Sequence, residues 1–222
     1  MELVKTILRL DLSEAFNPWI ELRGMIRELG EQPKAEIQGS PFTIGLKGKR
    51  QRLVLSVRAI AFEHEWVSSI EESSAAALDK MVQSNKVSKF PELAGVSHEA
   101  MFMEPYALPF HELLILVKNR FLKVSELANA STDVGIIFDQ AEGDIVKHYQ
   151  FGPMAKEQLQ SVFLNWSKDG IPDNFIFLIL KYEQNKDFKF ESEYLRKFLE
   201  TANEWEISQA EWLFRYLKEK GD

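Results

Sequence analysis

Cysteine is absent from this 222-residue chain. Its absence excludes disulfides, thiol nucleophiles and thiolate zinc sites together. No apolar run is long enough to cross a membrane as a helix, and the longest, Phe175 to Leu180, has the length of a strand. The opening residues Met1-Glu2-Leu3-Val4-Lys5 lack the basic start, apolar stretch and small-residue cleavage site of a secretory leader. The 11 glycines are scattered, never in G-x-G-x-x-G spacing and never followed by Lys-Ser or Lys-Thr. That disfavours a Rossmann fingerprint and a Walker loop. No G-x-S-x-G elbow is present either.

Histidine is scarce, with only His64, His98, His111 and His148. Three of them precede a glutamate (Glu65, Glu99, Glu112), but none begins H-E-x-x-H, since Ile115 stands where a second histidine would be needed. On a strand, adjacent side chains point to opposite faces, so a His-Glu dipeptide there is not a working pair. A metal site would need histidines converging from distant segments on Glu63, Asp139 or Asp144; without thiolate, such a set would suit zinc, manganese or iron. The expectation is structural or surface histidines, with no metal and no cofactor. Glu104 with Glu112, or Asp139 with Asp144, read as ordinary solvated carboxylates.

What the sequence does have is an acidic balance, 34 Asp+Glu against 27 Lys+Arg for a net charge of −7. This disfavours nucleic acid as a partner. A hydrophobic fraction of 45% and a mean hydropathy of −0.23 fit a soluble globular chain, and cytoplasmic location is the matching expectation. The charge is uneven, net +3 over residues 1–62 and −10 over the rest.

Val4 to Leu10 reads as a strand by its alternation. Asn17-Pro18 opens a helix that carries Trp19, Leu22, Ile26 and Leu29 and ends at Gly30. Ile37–Leu46 and Arg52–Phe62 read as two strands of a hairpin turned at Lys47-Gly48-Lys49. Ser69 to Glu72 has a capping-box pattern ahead of a helix with a small-residue face, Ala75, Ala76 and Ala77. Residues 84–97 have no clear period and read as a linker. After it come a strand at Ala100–Ala107, a helix opened by Pro109, and a hairpin of Val134–Asp139 with Ile145–Phe151. A helix starting at Gly152-Pro153 and a doubly covered strand, Phe175–Lys181, follow. Ser192 caps a helix expected to break near Asn203–Ile207, where Ser208 to Glu211 supplies another capping box.

This order predicts an α+β fold of two similar β-α-β-β-α(-β) ferredoxin-like units with antiparallel sheets. The units would be residues 1–90 and 98–222, the second with a helical C-terminal tail. The first unit lacks a closing strand of its own and could borrow the segment at 98–106.

Two surface features stand out. Between residues 34 and 58 there are six basic side chains and one acidic. Lys47, Lys49, Arg50 and Arg52 are the candidate anion contacts, with edge protection as the plainer role for a charged hairpin. An RNA-binding sheet would need the K/R-G-F/Y-G/A-F-V-x-F/Y order, which is missing. In the tail, Trp205, Trp212 and Tyr216 are the candidate interface, because they cannot all share one helical stripe with Phe214. The functional expectation is a non-catalytic binding or assembly module that self-associates into a homo-oligomer. The rival is an enzyme or small-molecule binder with a His/carboxylate site in the cleft between the units.

Overall fold

In the computed structural model, the described residues are 1–15, 17, 36–40, 43–47, 50–122, 133–163 and 171–219. The helix expected from Asn17-Pro18 to Gly30 lies outside them. Nine strands form one antiparallel sheet: β1 (Glu2–Leu12), β2 (Glu36–Ser40), β3 (Thr43–Lys47), β4 (Gln51–Ser56), β5 (Ala59–Glu65), β6 (Leu93–Pro105), β7 (Ile136–Glu142), β8 (Ile145–Ala155) and β9 (Asn174–Gln184). Three α-helices are described, α1 (Ile70–Ser88), α2 (Phe110–Phe121) and α3 (Ser192–Lys218), together with a 3₁₀ segment at Lys156–Ser161. Among the described residues, no helix is long and apolar enough to cross a membrane.

The α+β class holds, but the strand order is β2-β3-β4-β5-β1-β6-β9-β8-β7. A split βαβ unit interleaves strands; here each half instead sends a meander back to its first strand. β5 pairs with β1, β9 pairs with β6, and β1 pairs with β6 at the middle of the sheet. The expected pair of ferredoxin-like sheets is therefore replaced by a single sheet of different order. The missing closing strand is resolved by the two edges of β6, one on β1 and the other on β9.

Four sequence expectations need correction. Residues 84–97 are not a linker: α1 continues to Ser88, Lys89 ends it in the left-handed conformation (φ 49°), and β6 starts at Leu93. Periodicity fails there because β6 is buried on both faces through Val96, Ser97 and His98. The long strands read at 37–46 and 52–62 are each folded into two, β2–β3 and β4–β5, while β3 and β4 pair antiparallel with Lys47 opposite Arg52; Gly48 lies outside the described residues. β8 runs through Gly152-Pro153 to Ala155, where a helix was expected. Finally, α3 is one helix of 27 residues whose N-cap is Glu191, so Ser192 caps nothing and Ser208 lies in its interior.

The sheet's helix-bearing face holds two apolar clusters. Between the sheet, α1 and the first half of α3 pack Leu8, Leu10 and Ile60 of the strands with Met81 and Leu199 of the helices. Between the sheet, α2 and the second half of α3 pack Phe102 and Leu178 of the strands with Leu113, Val117 and Leu213 of the helices. A third cluster, with Val4, Met103, Leu159, Phe175 and Phe177, covers part of the opposite face. β7 and β8 turn at Gly143, whose φ of +65° suits a residue without Cβ.

Gly152 is held for a different reason, because a Cβ there would meet the Val134 carbonyl oxygen at 2.5 Å. Gly152→Ala is expected to lower the free energy of urea unfolding by about 1–3 kcal/mol. Gly135→Ala, which would meet nothing within 4 Å, should change it by less than about 0.5 kcal/mol. Equal effects of the two substitutions would contradict the packing described.

Candidate functional site

α3 presents its buried side through Leu195, Leu199, Ala202, Glu206, Ala210, Leu213 and Leu217. Glu206 thus occupies a place in an apolar stripe at helical spacing. Directly below, His98 stands on β6 between Val96 and Ala100, paired in register with Leu8 on β1 and Tyr182 on β9. The third wall is α1, which Ser69 caps by accepting the Glu72 amide at 3.0 Å; the Glu72 carboxylate turns instead to the Ser68 hydroxyl. That start places Ser73 and Ser74 on the buried side of α1.

These side chains form a connected chain. His98 Nδ1 lies 2.8 Å from Glu206 Oε2, and His98 Nε2 lies 3.4 Å from Ser74 Oγ. The Ser74 hydroxyl donates to Asn203 Oδ1 at 3.0 Å. Exposure is 4% for Ser74, 1% for His98, 6% for Asn203 and 0% for Glu206. The neighbours of each residue along its own element belong to different apolar clusters: Val96 and Ala100 around His98, Ala202 and Ala210 around Glu206. The polar chain therefore runs along the boundary between the two clusters.

Burial pushes the Glu206 carboxyl above its ordinary range, with the charge and hydrogen bond of His98 opposing it. Glu206 Oε1 is buried with no hydrogen-bond partner among the described residues. Leaving such an oxygen unpaired costs about 1–3 kcal/mol. With Glu206 protonated and the His98 ring neutral, the carboxyl donates to Nδ1, Nε2–H donates to Ser74, and Ser74 donates to Asn203. With Glu206 ionised beside a neutral ring, Glu206 accepts from Nδ1–H and Nε2 accepts the Ser74 hydroxyl; an imidazolium donates from both nitrogens.

Next to it runs a second chain without an acid. Ser73 Oγ lies 2.5 Å from Thr6 Oγ1 and 3.2 Å from His64 Nδ1, and Gln51 Nε2 donates to His64 Nε2 at 3.3 Å. Burial lowers the His64 pKa, Glu72 opposes the shift and Arg50 adds to it.

Above Ser74 and Asn203, α1 and α3 leave a groove of about 510 Å³. Its apolar strip is Ala75, Leu78, Leu199 and Ile207. Glu71, Asp79, Glu200 and Glu204 stand around it against a single cation, Arg196.

The residues singled out from sequence lie elsewhere. Lys47 ends β3, opposite Arg52 in register, and Lys49 lies outside the described residues. Arg50 is exposed and donates to the Trp66 carbonyl at 3.3 Å, while Arg52 Nε sits 3.9 Å from Glu63. Arg52 belongs to a row in register across the opposite face of seven strands, Arg52, Glu63, Ile7, Glu99, Lys181, His148 and Asp139. His148 Nδ1 meets Asp139 at 2.7 Å and Nε2 meets Glu183 at 3.5 Å. Among the described residues no three His, Asp or Glu side chains are grouped to hold a metal. Trp205 packs inward against Tyr149 and Tyr182 at 5.2 and 5.7 Å. Trp212 is 46% exposed and stacks on Tyr216 at 5.6 Å. Sequence reasoning missed Ser74, Asn203 and Glu206, and the signal for Glu206 was a carboxylate at an apolar-stripe position.

The sign of the pH dependence follows from Glu206. An unfolded chain releases its glutamate proton near pH ~4.3, whereas the native state keeps this one to higher pH. The native state binds the extra proton in that window, so Glu206 costs stability as pH rises. The melting temperature of Glu206→Gln relative to the parent should therefore climb as pH rises above about 4; a difference flat with pH would contradict it. No protein-family model matches the chain, and comparison with curated proteins finds no match.

Proposed function

We propose that this protein is a small-molecule binding module whose ligand enters the α1–α3 groove. The observation that carries the reading is the groove itself: a half-open groove of about 510 Å³ with an apolar strip, two polar lining side chains (Ser74 and Asn203) and a buried carboxyl of raised pKa beneath. Pockets of roughly 300–1,000 Å³ with this mixture are the usual form of small-ligand sites. One wall comes from the first half of the chain and the other from the second, which supports a ligand site between the halves. The carboxylates around the strip favour a ligand with an apolar body and a cationic end. 4-Phenylbutylamine serves as the probe, with amide shifts followed by NMR. Saturable shifts are expected at Ser74, Leu199 and Asn203, with affinity reduced about fivefold in a Glu200→Gln/Glu204→Gln variant. Absence of saturable shifts there at millimolar probe would overturn the reading.

A second reading, self-association, is favoured by one observation. Trp212 stacks on Tyr216 in an exposed position, and Phe138 is 46% exposed on β7. Phe138 and Trp212 share one surface recess. Apolar groups grouped in this way commonly mark a contact between chains. Light scattering should then give a dimer or larger species that Trp212→Glu converts to monomer. A monomeric parent protein would rule it out.

A further inference from the structure

We propose that Ser74 is a base-activated nucleophile, with Glu206, His98 and Ser74 forming an acid–imidazole–hydroxyl relay that opens onto the α1–α3 groove and accepts the acyl group of a bound ester. The inference rests on the groove being a ligand site and names what the ligand undergoes there.

Order and geometry carry it. The acid meets Nδ1 at 2.8 Å and the hydroxyl meets Nε2 at 3.4 Å, so the imidazole bridges the two through its opposite nitrogens. That is the arrangement in which an imidazole removes a hydroxyl proton while an acid holds its orientation, and such relays are recognised by roles and geometry on unrelated folds. The neighbouring Ser73–His64 chain supplies an internal contrast. It ends on Gln51 in place of an acid, and Ser73 is 0% exposed and outside the groove lining. Of these two serines, Ser74 alone combines an acid-backed imidazole with a place in the groove.

Asn203 completes the site. Its amide lies 3.0 Å from Ser74 Oγ. Its Oδ1 accepts the Ser74 hydroxyl, and when that hydroxyl turns to His98 a half-turn about the terminal bond lets Nδ2–H donate to Oγ in its place, which keeps the nucleophile oriented. In the reaction, the Ser74 Oγ–carbon bond forms as the ester C–O bond breaks. The Ser74 proton passes to His98 Nε2 and leaves with the departing alcohol. Water then cleaves the acyl–Ser74 bond, so the net change is ester plus water to acid plus alcohol. An ester with an apolar body on the Leu78–Leu199–Ile207 strip fits the space.

The relay is pH-gated, because only ionised Glu206 leaves Nε2 as an acceptor. The ionisable groups packed around this stretch of α3 include His98, with Glu99 on the far face of β6, Tyr182, with Lys181 on the far face of β9, Tyr149 on β8, and Glu71 and Asp79 on α1. Arg196, Glu200 and Glu204 share its own helix.

The test treats the full chain with an alkyl fluorophosphonate, in which the Oγ–P bond forms as P–F breaks and the hydroxyl proton leaves with fluoride through His98. The expected result is one phosphonyl group on Ser74 in the peptide map, absent in Ser74→Ala and unchanged in Ser73→Ala. In His98→Gln labelling should slow by about 100-fold or more. The rate should rise with pH in the parent and lie flat in Glu206→Gln. Circular dichroism checks each variant, and the parent map alone decides the site should a variant fail to fold. Absence of a Ser74 adduct on the folded parent, or labelling as fast in folded His98→Gln, would overturn the proposal. If 4-phenylbutylamine still binds the groove in that case, the binding reading stands and only the serine assignment falls.

Discussion

A buried polar seam between two apolar clusters is the constraint on which the rest of the structure depends. Apolar burial supplies the drive to fold, and it is non-directional. Hydrogen bonds in a dry interior are directional, and an unmet partner there is costly. Ser74, His98, Asn203 and Glu206 therefore fix how α1, β6 and α3 sit relative to one another. A slide of α3 by one turn would keep its leucines on an apolar surface, yet it would remove Glu206 from His98. The seam sets the register that greasy contacts alone leave loose.

The topology explains why the seam lies where it does. Each half returns its last strand to its first, after which the chain crosses onto the same face of the sheet, as α1 following β5 and as α3 following β9. Pairing of β1 with β6 brings these two helices side by side over the middle of the sheet. The groove is the space left between them, and its floor is the seam. Charge on the opposite face is handled differently: acids and bases on neighbouring strands meet and neutralise one another locally, as in the Lys5–Glu63 contact at 3.0 Å. Burial raises Glu99 within that row, while Lys181 and Lys5 pull it back.

Much of the element content was legible in the sequence because local chemistry determines it. Ser69 capped its helix, Pro109 opened one, Gly143 turned a hairpin, and alternation marked β1. The misses share a cause. β6 lost its alternation because both of its faces are covered, and the pairing of its two edges is a long-range fact that no local window contains. α3 was expected to break near Asn203–Ile207 because Ser208 to Glu211 reads as a second capping box, yet the helix carries that pattern in its interior. Asn203 and Glu206 lie on its buried side and belong to the seam. Ser74 carried no local mark at all; its partners are 24 and 129 residues away. The single continuous sheet was invisible for the same reason: ferredoxin-like units and returning meanders share an element order and differ only in who pairs with whom.

The proton between Glu206 and His98 is the most direct handle on this account. Nitrogen-15 spectra of the His98 ring, recorded across the range in which Glu206 ionises, report which nitrogen carries hydrogen. The account predicts hydrogen on Nε2 at the acidic end and on Nδ1 at the alkaline end, with slow exchange against solvent throughout. A ring that exchanges rapidly with water and shows the same tautomer at both ends would contradict it.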